Sequence, residues 1–213
     1  TIFPYAWDGI NPQTTNWLTQ FPVPGVSATT GIPSVVTYNW TGASGNNWNE
    51  AGNWSPERTV PALNDILVFD AGGAWTIINT PAQTIGQLKV LSNTSVTLQG
   101  AGTLNIAGDT GADLVVDSGC QLNISGTGTI SISLAAGSTG IINGSMTLSG
   151  GGHRLLAASA SGMMFASGSM FKTGSGFTGN PFGTLNLNSV VFSAGSVYVC
   201  LAGGNPFGAV APA

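Results

Sequence analysis

From about Trp75 onward the chain is written in short runs that alternate apolar and polar residues. Val96 and Leu98 alternate in SVTLQG, Leu104 and Ile106 in GTLNIAG, Leu122 and Ile124 in CQLNISG, Ile130, Ile132 and Leu134 in GTISISLAAG, and Met146 and Leu148 in SMTLSGG. A period of two puts every second side chain on one face, so each run predicts a β-strand with one buried side. Gly, Asn, Asp and Ser separate the runs, and no stretch suits a helix of useful length. The apolar markers Leu98, Leu104, Leu114, Leu122, Ile130, Ile141 and Leu148 return every 6 to 11 residues. Each element is therefore a short strand followed by a turn. An antiparallel sandwich or barrel and a parallel β-solenoid both satisfy this pattern. Asn143-Gly144 carries a hairpin signature and favours some antiparallel pairing, whereas the other breaks lack a two-residue hairpin signal.

The C-terminal third favours the solenoid, because it repeats. Phe165 matches Phe192, Gly168-Ser169 matches Gly195-Ser196, and Phe171 matches Tyr198, each offset by 27 residues. The phrase GNPFG at 179–183 returns at 204–208, offset by 25. A period in the twenties made of short strands is what a solenoid coil requires. With coils stacked about 4.8 Å apart, the residues after Trp75 make about six coils and a rod of about 30 Å. The expected fold is all-β: a right-handed parallel β-helix, or solenoid, over 75–213, with an antiparallel β-sandwich as the alternative.

The first 75 residues read differently. Residues 1–38 contain five prolines and no helical period, which predicts an extended Pro-rich arm with one strand near Ser34 to Tyr38. Residues 39–74 hold Trp40, Trp48 and Trp54 among Asn and Gly, followed by Pro61, Asp65 and Phe69. Exposed indoles at fixed spacing can form a platform for sugar rings. Alternatively, the three tryptophans pack over the first open coil, with Asp65 bonding to backbone N–H groups of a loop. A solenoid needs such a cap, since its terminal coil otherwise exposes unpaired backbone and an apolar cross-section. The cap is the expectation, and the platform is the alternative.

Charge sharpens the picture. The 213 residues include four Lys or Arg and eight Asp or Glu, 6% of the chain, so most of the surface is uncharged. Arg58, Lys89, Arg154 and Lys172 are scattered and the net charge is -4, which argues against a nucleic-acid partner. No run of 18 apolar residues predicts a membrane-spanning helix.

Candidate chemistry is sparse. Paired carboxylates for glycoside hydrolysis could come from Glu50 and Glu57, or from Asp109, Asp113 and Asp117, but all sit among turn residues and read as turn formers. Calcium at the three aspartates would be expected to bring Gly-Gly-x-Gly-x-Asp repeats, which are missing. His153, the single histidine, reads as a solvated loop residue. Cys120 and Cys200 read either as two buried thiols or as a disulfide. Asn39, Asn53, Asn93, Asn123 and Asn143 stand in Asn-x-Ser/Thr triplets, as chance predicts for this composition. No catalytic, metal or cofactor site is assigned, and enzymatic activity is not expected.

One resemblance bears on function. Trp40-Thr-Gly42, Trp48-Asn49, Asn53-Trp54, Pro61, Asp65 and Phe69 resemble a module of very large secreted proteins of Bacteroidota, and the GNPFG coils are similar to coils of the same proteins. The resemblance spans roughly residues 38–213. It implies an extracellular or cell-surface β-helical protein exported by the type 9 secretion pathway. It also implies a structural role as adhesin or filament, self-association or packing on neighbouring segments of one long chain, and contact with the outer-membrane secretion machinery. Glycans are the further partner class, through a carbohydrate-binding alternative. By the repeat register the chain stops in mid-coil at FGAVAPA, which reads as part of a longer polypeptide.

Overall fold

The structure is a computed structural model and describes residues 34–108, 110–183 and 189–202. Eighteen strands are formed there, and the helical content is one 3-10 turn at Ala51–Asn53. In chain order they are β1 (Thr37–Trp40), β2 (Trp54–Ser55), β3 (Ile66–Phe69), β4 (Gly73–Thr80), β5 (Gln83–Ile85), β6 (Gln87–Val90), β7 (Thr94–Gly100), β8 (Gly102–Ile106) and β9 (Leu114–Val116). There follow β10 (Gln121–Ile124), β11 (Ile130–Leu134), β12 (Gly140–Ile142), β13 (Ser145–Leu148), β14 (Arg154–Ala157), β15 (Met163–Phe165), β16 (Met170–Thr173), β17 (Val190–Phe192) and β18 (Val197–Cys200).

Three sheets result, and from β3 to β16 every third strand returns to the same one. The first face runs β2-β1-β3-β6-β9-β12-β15-β17, the second β4-β7-β10-β13-β16-β18, and the third β5-β8-β11-β14. All ladders are parallel except β1 with β2. The fold is thus a β-solenoid of about six turns, and the sandwich alternative is overturned. Asn143-Gly144 is a corner between β12 and β13, which lie in different sheets, so it closes no hairpin. The coils also begin earlier than expected. β1 already pairs in parallel with β3, Thr37 opposite Ile66, so the stack reaches back to Thr37 instead of opening near Trp75.

Alternation along each strand becomes a column along the stack. On the second face Val96, Leu122, Met146, Phe171 and Tyr198 are successive register partners, as are Leu98, Ile124 and Leu148 beside them. On the third face Ile85, Ile106, Leu134 and Ala157 line up, and on the first Phe69, Val90, Val116, Ile142, Phe165 and Phe192. Most of these side chains are fully buried. Burying a Leu, Ile or Phe stabilises by about 1.5–3 kcal/mol, so the columns supply the main driving force. The sequence repeat is this register: Phe165 faces Phe192 and Phe171 faces Tyr198, with ring centroids 4.7 and 5.4 Å apart and nearly parallel rings.

Corners absorb differences in coil length. The first-face partners Leu67, Leu88, Leu114, Gly140, Met163 and Val190 are spaced 21, 26, 26, 23 and 27 residues apart. The matched Gly-Ser pairs make one repeated turn, with Ser169 N–H donating to the Ala166 carbonyl at 3.0 Å and Ser196 N–H to that of Ser193 at 2.9 Å. Gly119 makes the equivalent turn at φ +79°, and a Cβ there would also strike Asn93 Oδ1 of the coil before.

Within β10 the inward and outward positions should separate cleanly in equilibrium urea unfolding. We expect Leu122→Ala to cost about 2–5 kcal/mol and Asn123→Ala less than about 0.5 kcal/mol.

Candidate functional site

The candidate site is the tryptophan module at the N-terminal end of the stack. Trp40 ends β1, Trp54 opens β2, and Trp48 lies in the loop between them. Their exposures are 1%, 2% and 1%. Trp54 meets Trp40 and Trp48 edge-on, with centroids 5.0 and 5.3 Å away, and all three indoles lie 5.6–6.2 Å from the Phe69 ring. Trp54 Nε1 donates to the Trp48 carbonyl at 3.0 Å. The platform reading of Trp40, Trp48 and Trp54 is corrected by this geometry, because a sugar stacks on an exposed ring face and these faces are covered by each other and by Phe69.

The module behaves as an abbreviated coil, covering each face by a different device. On the first face β1 pairs with β3, and β2 lies antiparallel along its outer edge, Trp40 opposite Trp54. On the second, Trp48 N–H donates to the Ile78 carbonyl at 3.0 Å and Ile78 N–H to that of Asn46 at 2.9 Å, adding a short parallel rung beside β4. On the third, the Arg58 guanidinium donates to Gln83 Oε1 on β5 at 3.3–3.4 Å. Backbone pairing, backbone bridging and a side-chain fork thus take the place of three strands.

Two residues hold the loop in this shape. Asn53 is fully buried: its Oδ1 accepts from Ser44 N–H at 2.7 Å, and its Nδ2 donates to the Asn47 carbonyl at 2.9 Å. Burial also closes its Asn-x-Ser triplet to glycosylation. Arg58 Nε donates to Asp65 Oδ2 at 2.7 Å, with both side chains almost wholly buried. The same oxygen accepts from Ala62 N–H at 2.9 Å, the loop bond expected of Asp65. The Arg58 guanidinium carbon lies 5.8 Å from the Tyr38 ring centroid and 5.9 Å from that of Trp54, so aromatic faces replace part of its lost hydration. Sequence reading missed both Arg58 and Asn53. The available signal was the rarity of charge, since a lone arginine beside a lone aspartate in an aromatic segment is a candidate buried pair.

The remaining candidates are dispersed. Glu50 and Glu57 are exposed, and Asp109 lies outside the described residues. Asp113 is buried, accepting from Gln87 Nε2 at 3.2 Å and from Thr139 N–H at 3.0 Å, so it ties three successive coils together. Among the described residues no group of three or more His, Cys, Asp or Glu comes together. Cys120 is buried and Cys200 exposed, both as free thiols, so neither cysteine reading survives intact. His153 is fully buried, correcting its reading as a solvated loop residue. The second GNPFG phrase, at 204–208, lies outside the described residues. No protein-family model matches the chain, and no curated protein or solved structure matches it either.

Removing one partner of a buried pair leaves a desolvated charge. Arg58→Ala should therefore destabilise by about 3–5 kcal/mol in urea unfolding, and Trp48→Ala by about 3–5 kcal/mol through the cavity it leaves. Arg58→Lys should fall between Arg58→Ala and wild type, because one ammonium cannot reproduce the fork to Asp65 and Gln83.

Proposed function

We propose that this chain is a non-enzymatic structural segment of an extracellular surface protein, an adhesin or a self-assembling filament. The observation that carries this reading is the parallel stack of about six coils, whose outer faces bear few charges: Lys89 on the first, Lys172 on the second and Arg154 on the third. On the second face the outward columns run Ser95, Gln121, Ser145 and Met170, and Thr97, Asn123, Thr147 and Lys172, with one charge among the eight. On the third they include Thr103 and Ser131, and Asn105 and Ser133. Hydroxyls and amides keep such a surface wet without long-range repulsion, which suits a rod packed among many copies or many segments. Toward the last described coils Met164, Met170, Val191 and Val197 become 36–50% exposed, adding apolar surface for lateral packing. The resemblance of the tryptophan module and GNPFG coils to secreted Bacteroidota proteins supports an extracellular or cell-surface setting and export through the type 9 machinery.

Electron microscopy of the purified chain across a concentration series, paired with glycan-turnover assays on the same material, tests this reading. We expect rods of about 30 Å per copy, separate or joined, and no product. Turnover that is lost in Glu50→Gln or Glu57→Gln would contradict it.

A further inference from the structure

The corner between β13 and β14, residues 149–153, departs from the backbone ladder. Along the third face, Gly102 and Ile130 are register partners on neighbouring coils. Gly102 N–H donates to a carbonyl of the next coil, that of Thr129, at 2.8 Å. Ile130 N–H instead meets a side chain: it donates to His153 Nδ1 at 3.1 Å. The imidazole stands in for the missing carbonyl. Its other nitrogen, Nε2, lies 3.0 Å from the Ser149 carbonyl within its own corner. A backbone N–H only donates and a carbonyl only accepts, so the ring must be neutral, with its proton on Nε2.

The surroundings fit that neutral ring closely. His153 is completely buried, and the run Gly150-Gly151-Gly152 passes against Gly126 and Gly128 of the preceding coil. A Cβ on Gly151 would lie 3.0 Å from the Gly126 carbonyl oxygen and 3.3 Å from His153 Nε2, so the glycines leave the space that the ring fills. The charged neighbour is Arg154, whose Nη1 donates to the His153 carbonyl at 2.7 Å and to that of Thr178 at 3.2 Å. The corner segments packed here, 125–129, 149–152 and 174–180, contain no Asp or Glu to balance a second positive charge.

We propose that His153 is a proton-sensitive rung that joins the third and fourth turns of the solenoid at neutral pH and releases them in mild acid. Protonation places a hydrogen on Nδ1, where it faces the Ile130 N–H, and two donors then oppose each other across 3.1 Å. The rung is lost, and a cation is left buried beside Arg154. Desolvation by burial holds the His153 pKa below its usual value, opposed by the backbone groups of Ser149 and Gly126 and reinforced by Arg154. The unfolded chain takes up the proton near pH 6.5, whereas the folded corner resists it. Stability is therefore unaffected above about pH 6.5 and falls as pH drops below it, by up to about tenfold in the folding constant per pH unit until the folded ring also titrates. Histidine is the side chain whose ordinary titration range covers the window between about pH 6.5 and 5, and His153 is the single histidine of the chain.

The chain has one histidine, so its ring signals in nuclear magnetic resonance need no assignment. The expected spectrum at pH 7.5 is the neutral Nε2–H tautomer. The expected titration midpoint lies below 6.5. Hydrogen exchange, corrected for the intrinsic pH effect, should show protection of Ile130–Leu134 and Arg154–Ala157 falling between pH 7 and 5, with Gln121–Ile124 and Thr94–Gly100 falling less. His153→Gln, neutral throughout, should remove that pH dependence. A folded-state ring that titrates at or above 6.5, that carries its proton on Nδ1, or whose protonation leaves those two strands as protected as before would overturn the proposal. Because these readouts use the wild-type chain, they stand even if the variant does not fold.

Discussion

A parallel ladder places each residue directly beside its counterpart one coil away. Everything else in this structure follows from that registration. A column favours side chains that pack against their counterparts one coil away, and aliphatic residues do so readily, as Leu98, Ile124 and Leu148 show. Toward the later coils rings stack on rings, as with Phe165 on Phe192 and Phe171 on Tyr198. Gly140, between Leu114 and Met163, is the exception that fits the same constraint: a Cβ there would meet the Met163 thioether, so the larger residue fills its neighbour's space.

Registration also creates the problem of the ends. A first coil has no predecessor to pair with its backbone or cover its interior, and the tryptophan module meets both needs. It covers Phe69 with three indoles and supplies the first coil with one strand, one short bridge and one arginine fork. Its antiparallel β2 lies along the edge that a further parallel strand would use. An end closed in this way resists addition of another chain by strand pairing, so association through the sparsely charged flanks or the later coils fits the geometry better than growth through this end.

The legible part of the fold was whatever repeats. Alternation marked strands because each must bury one face, and the 27-residue offset of Phe165 to Phe192 and Phe171 to Tyr198 returned as the actual register. Corners were less legible, since each must satisfy only its own backbone. Asn143-Gly144 satisfies a sheet-to-sheet bend as well as a hairpin, because both need only a tight reversal of direction. His153 was misjudged and Arg58 missed for one physical reason: polar residues in loops usually face water, whereas here His153 accepts a backbone N–H that the ladder leaves over and Arg58 is buried against the side chains of Asp65 and Gln83. The start of the stack was misplaced because β1 and β3, embedded among Trp, Pro and Asn, lack the run-and-turn rhythm of later coils.

The central claim is the register itself, and paired cysteines read it directly. In a Cys200→Ser background, Thr97 and Asn123 are outward partners on neighbouring coils of the second face. Adjacent strands lie about 4.8 Å apart, within the range a disulfide spans. Thr97→Cys with Asn123→Cys should oxidise readily and leave the protein folded, while Thr97→Cys with Gln121→Cys, displaced by two positions, should not. Efficient closure of the displaced pair, or failure of the aligned one, would contradict the stacking described for this chain.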